Sequence, residues 1–267
     1  RASIFLHKEY IEEIIMWNPD IVHSQCEFTT FIYAKKIAET LDIPIVHTYH
    51  TIYEDYTHYI SPSKTIGRKA VATLSKKILR NVQAVIAPTE KVSNLLKEYG
   101  VEREVYTIPT GIDLKKFNIT LSNKQKEKMK KEFGIPENNV ILLSVGRLAK
   151  EKKIDEIIKY INMIKRENIS MLIVGDGPYR NKLEKEVQEL NLGNKVIFAG
   201  MISPEEVPSY YQLGDIFISA SNSETQGLTY LEALASGLPS VCKSDPCIKD
   251  VIINGYNGFQ YRSEERR

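Results

Sequence analysis

Residues 216–240 read IFISASNSETQGLTYLEALASGLPS: a strand, a polar turn, a helix and a stop in direct succession. IFISAS has the apolar, branched and aromatic residues of a buried strand. Ser221, Asn222, Ser223 and Thr225 are turn and N-cap formers. LTYLEALA is a helical run, and Ser236–Gly237–Leu238–Pro239 ends it. Two carboxylates, Glu224 and Glu232, stand eight residues apart with Gly227 between them. The spacing predicts Glu224 in the loop before the helix and Glu232 in its second turn. The amides of Gln226, Gly227 and Leu228 then fall at the helix N-terminus, where unpaired N–H groups and the helix dipole favour an anion. An anion seat flanked by two hydroxyl-accepting carboxylates suits a sugar nucleotide. An amphipathic surface helix with two solvated glutamates is the plainer alternative.

Working outward, strand and helix patterns alternate over nearly the whole chain, the mark of βα units on a parallel sheet. Helices are expected over SIFLHKEYIEEIIMW, FTTFIYAKKIAETL, IGRKAVATLSKKILR and EKVSNLLKEYG, with strands at DIVHS, AVIAP and VYTIP and a strand running into a loop at PIVHTYH. After the turn TGIDLKKFN come a polar helix around Lys124–Phe133 and the buried strand VILLSVG. Helix Ile154–Lys165, strand MLIVG, helix Tyr179–Leu190, strand KVIFAG and a short helix after Ser203–Pro204 lead back to the opening motif. Periodicity gives way to glycine and charge at Thr110–Asn118, which reads as a linker. The expectation is an α/β chain of two doubly wound domains, 1–116 and 117–267, each incomplete. The first half begins on a helix with no glycine-rich loop, and the second stops after the NGF strand signal.

The 267 residues carry a formal net charge of +2, with 42% hydrophobic and 26% charged residues. That composition is ordinary for a globular protein and provides no global field for nucleic acid. The three cysteines are odd in number and lack metal-ligand spacing, which favours a reducing compartment. No apolar run approaches the roughly 20 residues of a membrane span, and no signal peptide is visible.

Arg147 follows the strand VILLSVG directly, at the edge where doubly wound folds bind ligands, and Lys152 follows five residues later. Two cations there would neutralise a diphosphate leaving group. Lys150 and Lys153 read instead as solvated charge capping the next helix. Gly146, Gly175 and Gly200 each end a strand and are candidate backbone contacts to a nucleotide, though G-D-G alone is a weak dinucleotide signal. In PIVHTYHTIYEDYTHY, His50 sits where a strand enters a loop and is the histidine favoured for the site. His47 is expected to face away or pack inward, His23 and His58 stay open, and His7 reads as surface. Ser61–Arg80 holds six basic residues and no acid. Its apolar stripe, Ile66, Ala70, Val71, Leu74 and Ile78, is expected to pack on the sheet. The basic outer face is either merely solvated or drawn to anionic lipid.

SVGRLAKEK, VGDGP, PTGID and the E-x7-E of SETQGLTYLEALASGLP stand in an order and spacing that resemble the retaining glycosyltransferases of family 4, the large GT-B group. HTYHTIYEDYTHYI and NGYNGF more narrowly resemble the bacterial 1,2-diacylglycerol 3-glucosyltransferases. The resemblance implies facing Rossmann-like domains with the site in the cleft, and a retaining hexosyl transfer from UDP-glucose to diacylglycerol. It implies no cofactor beyond that donor, no metal, and a peripheral place at the cytoplasmic face of an anionic membrane. Carried over, Arg147 and Lys152 hold the donor diphosphate. Glu224 contacts sugar hydroxyls, the Gln226–Leu228 amides the sugar or phosphate, and Glu232 the ribose. His50, in the V-x-T-x-H pattern Val46–Thr48–His50, reaches the transferred sugar. Lys153 stands where the family usually has glycine, and the family's N-terminal glycine-rich loop is missing. The alternatives are a family 4 enzyme with a polyprenyl, phospholipid or soluble acceptor, or a nucleotide-sugar-binding fragment without turnover.

Overall fold

The computed structural model describes residues 8–59 and 63–262, with the side chains of residues 58, 59 and 64 excepted. The chain divides into two compact units, Arg1–Thr110 and Gly111–Arg267. Of the expected N-terminal helix over residues 3–17, and of the basic segment beginning at Ser61, only the described part is considered. His7 lies outside the described residues, as does the side chain of His58.

The first unit runs α1 (Lys8–Trp17), β1 (Val22–Ser24), α2 (Thr29–Leu41), β2 (Ile45–Thr48), a 3-10 helix (Tyr53–Tyr59), α3 (Lys64–Leu79), β3 (Ala84–Ala87), α4 (Glu90–Glu98) and β4 (Val105–Thr107). Its strands lie in the order β1-β2-β3-β4, all parallel. Tyr49, Leu79, Val82, Val85, Val92 and Leu96 make a fully buried core. The 3-10 helix was expected only as loop.

Helix α3 departs from the expected orientation. Of the proposed inward stripe Ile78 is buried and Val71 packs against the core, but Ile66, Ala70 and Leu74 are exposed, and the helix buries Gly67, Ser75 and Leu79 beside Ile78. The reason is local. Gly67 sits against Thr57, where an added Cβ would lie 2.6 Å from the Thr57 Cβ. Ser75 meets the Tyr49 hydroxyl at 3.0 Å. Close backbone approach and one buried hydrogen bond turn the helix so that only the Val71 and Ile78 edge of its apolar stripe faces inward. The acids missing from this segment's sequence also arrive from elsewhere: Arg68 pairs with Glu54 and Glu98, and Arg80 with Glu102.

The second unit contains α5 (Leu114–Phe117), α6 (Asn123–Glu132), β5 (Val140–Val145), α7 (Ile154–Met163), β6 (Ile169–Val174), α8 (Arg180–Glu189), β7 (Val196–Gly200), α9 (Val207–Leu213), β8 (Ile216–Ser219), α10 (Leu228–Ala235), β9 (Ser240–Lys243) and β10 (Gly258–Tyr261). The sheet order is β10-β9-β8-β5-β6-β7, again all parallel. Alternate residues of each strand feed opposite layers. Leu172, Val174 and Phe217 join Tyr211, Tyr230 and Ala233 from α9 and α10 on one side. Met171, Ile173 and Ile218 join Ile158, Leu183 and Val187 from α7 and α8 on the other. A sheet covered on both faces is what the near-continuous apolar strands require.

The units meet at Thr110–Gly111, before the boundary expected at 116/117. The supposed linker holds α5, whose Phe117 is buried against Tyr211 at 5.8 Å between ring centroids. Strand β9 was not anticipated. Its four residues, SVCK, follow a proline and include a serine and a lysine, too little pattern to declare a strand.

Lys153 has φ 51°, in the left-handed region, between a short 3-10 turn (Lys150–Lys152) and α7. That conformation costs a non-glycine residue about 1 kcal/mol, which explains why glycine suits this position. Lys153→Gly is therefore expected to stabilise the chain by about 1 kcal/mol in urea unfolding. A lower midpoint for the variant would show that the lysine side chain outweighs the backbone strain.

Candidate functional site

Numbered within the second unit, its strands lie in the order 3-2-1-4-5-6. The chain reverses direction across the sheet between β5 and β8. Loops leaving the carboxyl ends of these strands diverge there and leave a crevice, the position where open α/β sheets bind ligands. The loop after β5 carries Gly146, Arg147 and Lys152, and the loop after β8 carries Glu224, Gln226 and Gly227.

Lys152 and Glu224 close the gap between the two loops. The Lys152 Nζ donates to Glu224 Oε1 at 2.6 Å, and their side chains are 25% and 16% exposed. A pair this shielded is held against water on most sides, so removing one partner leaves an uncompensated charge. Arg147 stands at the end of β5, exposed, and makes no ion pair among the described residues.

The loop after β8 is stiffened by its own hydroxyls. Tyr230 OH donates to Ser219 Oγ at 2.8 Å, and Ser221 N to the same oxygen at 3.3 Å. Ser221, Ser223 and Gln226 are buried. Burial pushes the Tyr230 hydroxyl far above its ordinary range, so it stays a neutral donor. The helix cap differs from expectation. None of Ser221, Asn222, Ser223 and Thr225 is the N-cap of α10. That place belongs to Gly227, with φ 75° and no side-chain cap hydrogen bond. A Cβ there would lie 2.8 Å from the Tyr230 ring, so both backbone sign and space require glycine.

Glu224 lies in the loop and Glu232 in the second turn of α10, as the spacing predicted. Glu232 Oε2 accepts a hydrogen bond from Tyr211 OH at 2.7 Å. Burial, and then the neighbouring Glu232 charge, push Tyr211 well above the ordinary tyrosine range. Tyr211 thus orients the carboxylate as a permanent donor. Sequence reasoning missed it because only the fold brings α9 beside α10.

Gly175, with φ 128°, owes its identity to packing between strand ends: a Cβ there would lie 2.0 Å from the Gly146 carbonyl oxygen. Around a Cβ built on Gly146 there is open space. Gly200 ends β7, where its carbonyl accepts from Gly175 N at 2.8 Å. These three glycines close the floor of the β5–β6–β7 edge.

In the first unit His50 is half-buried at the carboxyl side of β2, with Nε2 2.5 Å from Gln25 Oε1. Burial lowers its pKa below the ordinary imidazole value, partly offset by the Glu27 charge. His47 is fully buried between Ser24 at 3.1 Å and Glu27 at 3.3 Å, the inward packing expected of it. His23 is exposed and contacts Thr48 Oγ1 at 2.7 Å. Glu27 also accepts a hydrogen bond from Tyr53 OH. This largely buried Ser24–His47–Glu27–Tyr53 chain had no sequence signal, since its members come from two strands, a loop and the 3-10 helix.

The strand order and glycine-closed crevice define a doubly wound α/β protein of the nucleotide-binding kind. The pattern described as "Glycosyl transferases group 1" matches residues 125–266, and that described as "Glycosyltransferase Family 4" matches residues 1–116. The chain belongs to this glycosyltransferase family. It is 41% identical over 248 residues to the alpha-monoglucosyldiacylglycerol synthase of Streptococcus pneumoniae, covering 92% of this chain and 56% of that protein. The synthase of the same name from Acholeplasma laidlawii is 32% identical over 273 residues, with 99% of this chain and 68% of the relative covered. Among solved structures, Anabaena HepE in complex with UDP and glucose superposes with a TM-score of 0.78 at 19% identity, over 95% of this chain and 68% of that one. That likeness places the two parallel-sheet units in the GT-B fold group.

Removing either partner of the Lys152–Glu224 pair is expected to cost more than removing both. In a Lys152→Met, Glu224→Gln cycle followed by urea unfolding, a coupling of about 1–2 kcal/mol should appear. Additive losses would show that the pair is solvent-screened. A second expectation concerns pH. The lowered pKa of His50 means that the unfolded chain takes up its proton first. The associated stability is therefore present above roughly pH 6.5 and lost as pH falls through the folded value. The melting-temperature advantage of the native chain over His50→Gln should shrink from pH 7.5 to pH 5.5, taken as about one unit either side of that model value. A difference constant with pH would contradict the assignment.

Proposed function

We propose that the chain is the sugar-transferring part of a retaining glucosyltransferase that moves glucose from UDP-glucose to diacylglycerol. The observation that carries the reading is the Lys152–Glu224 pair across the β5/β8 switch point, set in a chain similar to two alpha-monoglucosyldiacylglycerol synthases. In this reading Arg147 and Lys152 neutralise the departing diphosphate, and Glu224 takes hydroxyls of the transferred sugar. Glu232, oriented by Tyr211, takes the ribose hydroxyls. The amides of Gln226, Gly227 and Leu228 face the donor, and Gly146, Gly175 and Gly200 let its backbone contacts come close. His50, kept neutral by burial, is assigned to the transferred sugar.

The bond from the anomeric carbon to the diphosphate oxygen breaks, and a bond from that carbon to the acceptor oxygen forms on the same face. The acceptor proton passes to the leaving diphosphate, so no carboxylate nucleophile is required. A diacylglycerol acceptor resides in a bilayer, and the membrane belongs to the proposal with it. Among the described residues no helix is long and apolar enough to cross a membrane. Surface attachment is supported instead by α3, which exposes Lys69 and Lys77, unpaired among the described residues, beside Ile66 and Leu74. Each such cation near an anionic surface contributes about 1 kcal/mol.

Arg147→Ala should lower turnover of UDP-glucose roughly a hundredfold, about 3 kcal/mol of lost charge stabilisation. Glu232→Ala should mainly weaken binding of free UDP, whereas Glu224→Ala should cut transfer more than UDP affinity. Titration calorimetry with UDP beside a radiolabelled transfer assay separates these. Equal losses for both glutamates would undo the division of roles.

A further inference from the structure

A cavity of about 310 Å³ opens in the first unit, lined by Glu27, Phe28, Tyr53, Tyr56, Val71, Leu74, Ser75 and Ile78. Its volume falls at the lower end of ligand sites, roughly 300–1,000 Å³. Its wall is almost wholly carbon, although Glu27, Tyr53 and Ser75 border it. The reason is that their polar atoms are already engaged. Tyr53 OH donates to Glu27, whose other oxygen faces His47, and Ser75 Oγ meets Tyr49 OH at 3.0 Å. Water entering such a space finds no partners, and apolar cavities of this kind stay dry and take hydrocarbon.

The surroundings say what kind of hydrocarbon. Phe28 and Leu74, on the cavity wall, are 53% and 47% exposed, so the cavity opens to the surface. Ile32, one turn beyond Phe28 on α2, and Ile66 on α3 are also exposed. Large apolar residues left outward beside the unpaired cations Lys69 and Lys77 form a surface suited to a lipid interface. A soluble sugar acceptor would need none of these features. An acyl chain leaving a bilayer would meet cations at headgroup level and then an apolar slot.

We infer that this cavity between α3, the Tyr53–Tyr59 helix and the start of α2 seats one acyl chain of the diacylglycerol acceptor. The inference rests on the glucosyltransferase reading above for the identity of the lipid. It adds that unit one selects its acceptor by hydrocarbon as well as by hydroxyl. It also explains the unexpected rotation of α3, which leaves Leu74 at the cavity mouth rather than on the sheet.

The test is photolabelling of the full chain in anionic vesicles containing a diacylglycerol with a mid-chain diazirine, followed by peptide mass spectrometry. Labels are expected on the segments carrying Phe28, Tyr53, Tyr56 and Val71. Leu74→Trp, which fills the mouth from an exposed position, should reduce that labelling about tenfold, the equivalent of about 1.4 kcal/mol. Met163→Ser, at an exposed apolar side chain ending α7 in the second unit, should leave cavity labelling unchanged. UDP binding by each variant checks that it is folded.

Labels confined to the outer face of α3, or cavity labelling insensitive to Leu74→Trp in a folded variant, would overturn the inference. A diazirine phosphatidylglycerol that labels the cavity equally, without competition from diacylglycerol, would overturn the commitment to the acceptor. The two readings fail separately. Cavity labelling with no glucosyl transfer would sink the proposed reaction and leave a lipid site. Transfer to diacylglycerol with an empty cavity would sink the acyl seat and leave the reaction.

Discussion

The parallel pairing of β5 with β8, Leu142 beside Ile216 and Leu143 beside Phe217, is the constraint on which the second unit depends. Residues 146–215, the chain between these neighbouring strands, build β6, β7 and their helices on one side before returning. Successive loops must therefore part at this seam, because right-handed crossovers send them to opposite faces. The seam creates a crevice without any residue being chosen for it. What the sequence adds is closure: glycines where strand ends touch, and the Lys152–Glu224 pair where loops would otherwise gape.

The pair has a further consequence. A lysine in the β5 loop and a glutamate in the β8 loop, each shielded, hold one another in place before any ligand arrives. Preorganised charge of this kind costs little reorganisation when charge develops in a reaction. Glu232 is treated similarly by a different device, a neutral tyrosine forced by burial to remain a donor. The first unit repeats the theme at Glu27, locked between His47 and Tyr53. In both units a buried hydroxyl or ring fixes a carboxylate, and the surrounding apolar packing fixes the hydroxyl.

The βα alternation was legible because buried strands such as VILLSV and ISMLIV are apolar runs interrupted by a single serine, and helices such as IDEIIKYINM show apolar residues at three- and four-residue spacing. The turn-to-helix placement of Glu224 and Glu232 was legible for the same reason, since a glycine and a stop signal bound the helix. Strand β9 was not, because four residues carry too little period to oppose a neighbouring proline. Helix α5 was hidden by charge: LKKF looks like linker until Phe117 finds Tyr211.

By itself the sequence determined the two doubly wound halves, the order of their elements and the residues gathered at the strand ends. These follow from local periodicity and from glycines whose backbone angles no other residue tolerates well. Only the tertiary structure decided which charges meet. Lys152 and Glu224 are 72 residues apart in the chain and 2.6 Å apart in space. It also decided which face of α3 is inside, and there the hydrophobic pattern held for Val71 and Ile78 but not for Ile66, Ala70 and Leu74. A close contact at Gly67 and a hydrogen bond at Ser75 set the rotation. Such contacts depend on the shape of the partner surface, and a one-dimensional pattern carries no information about that surface.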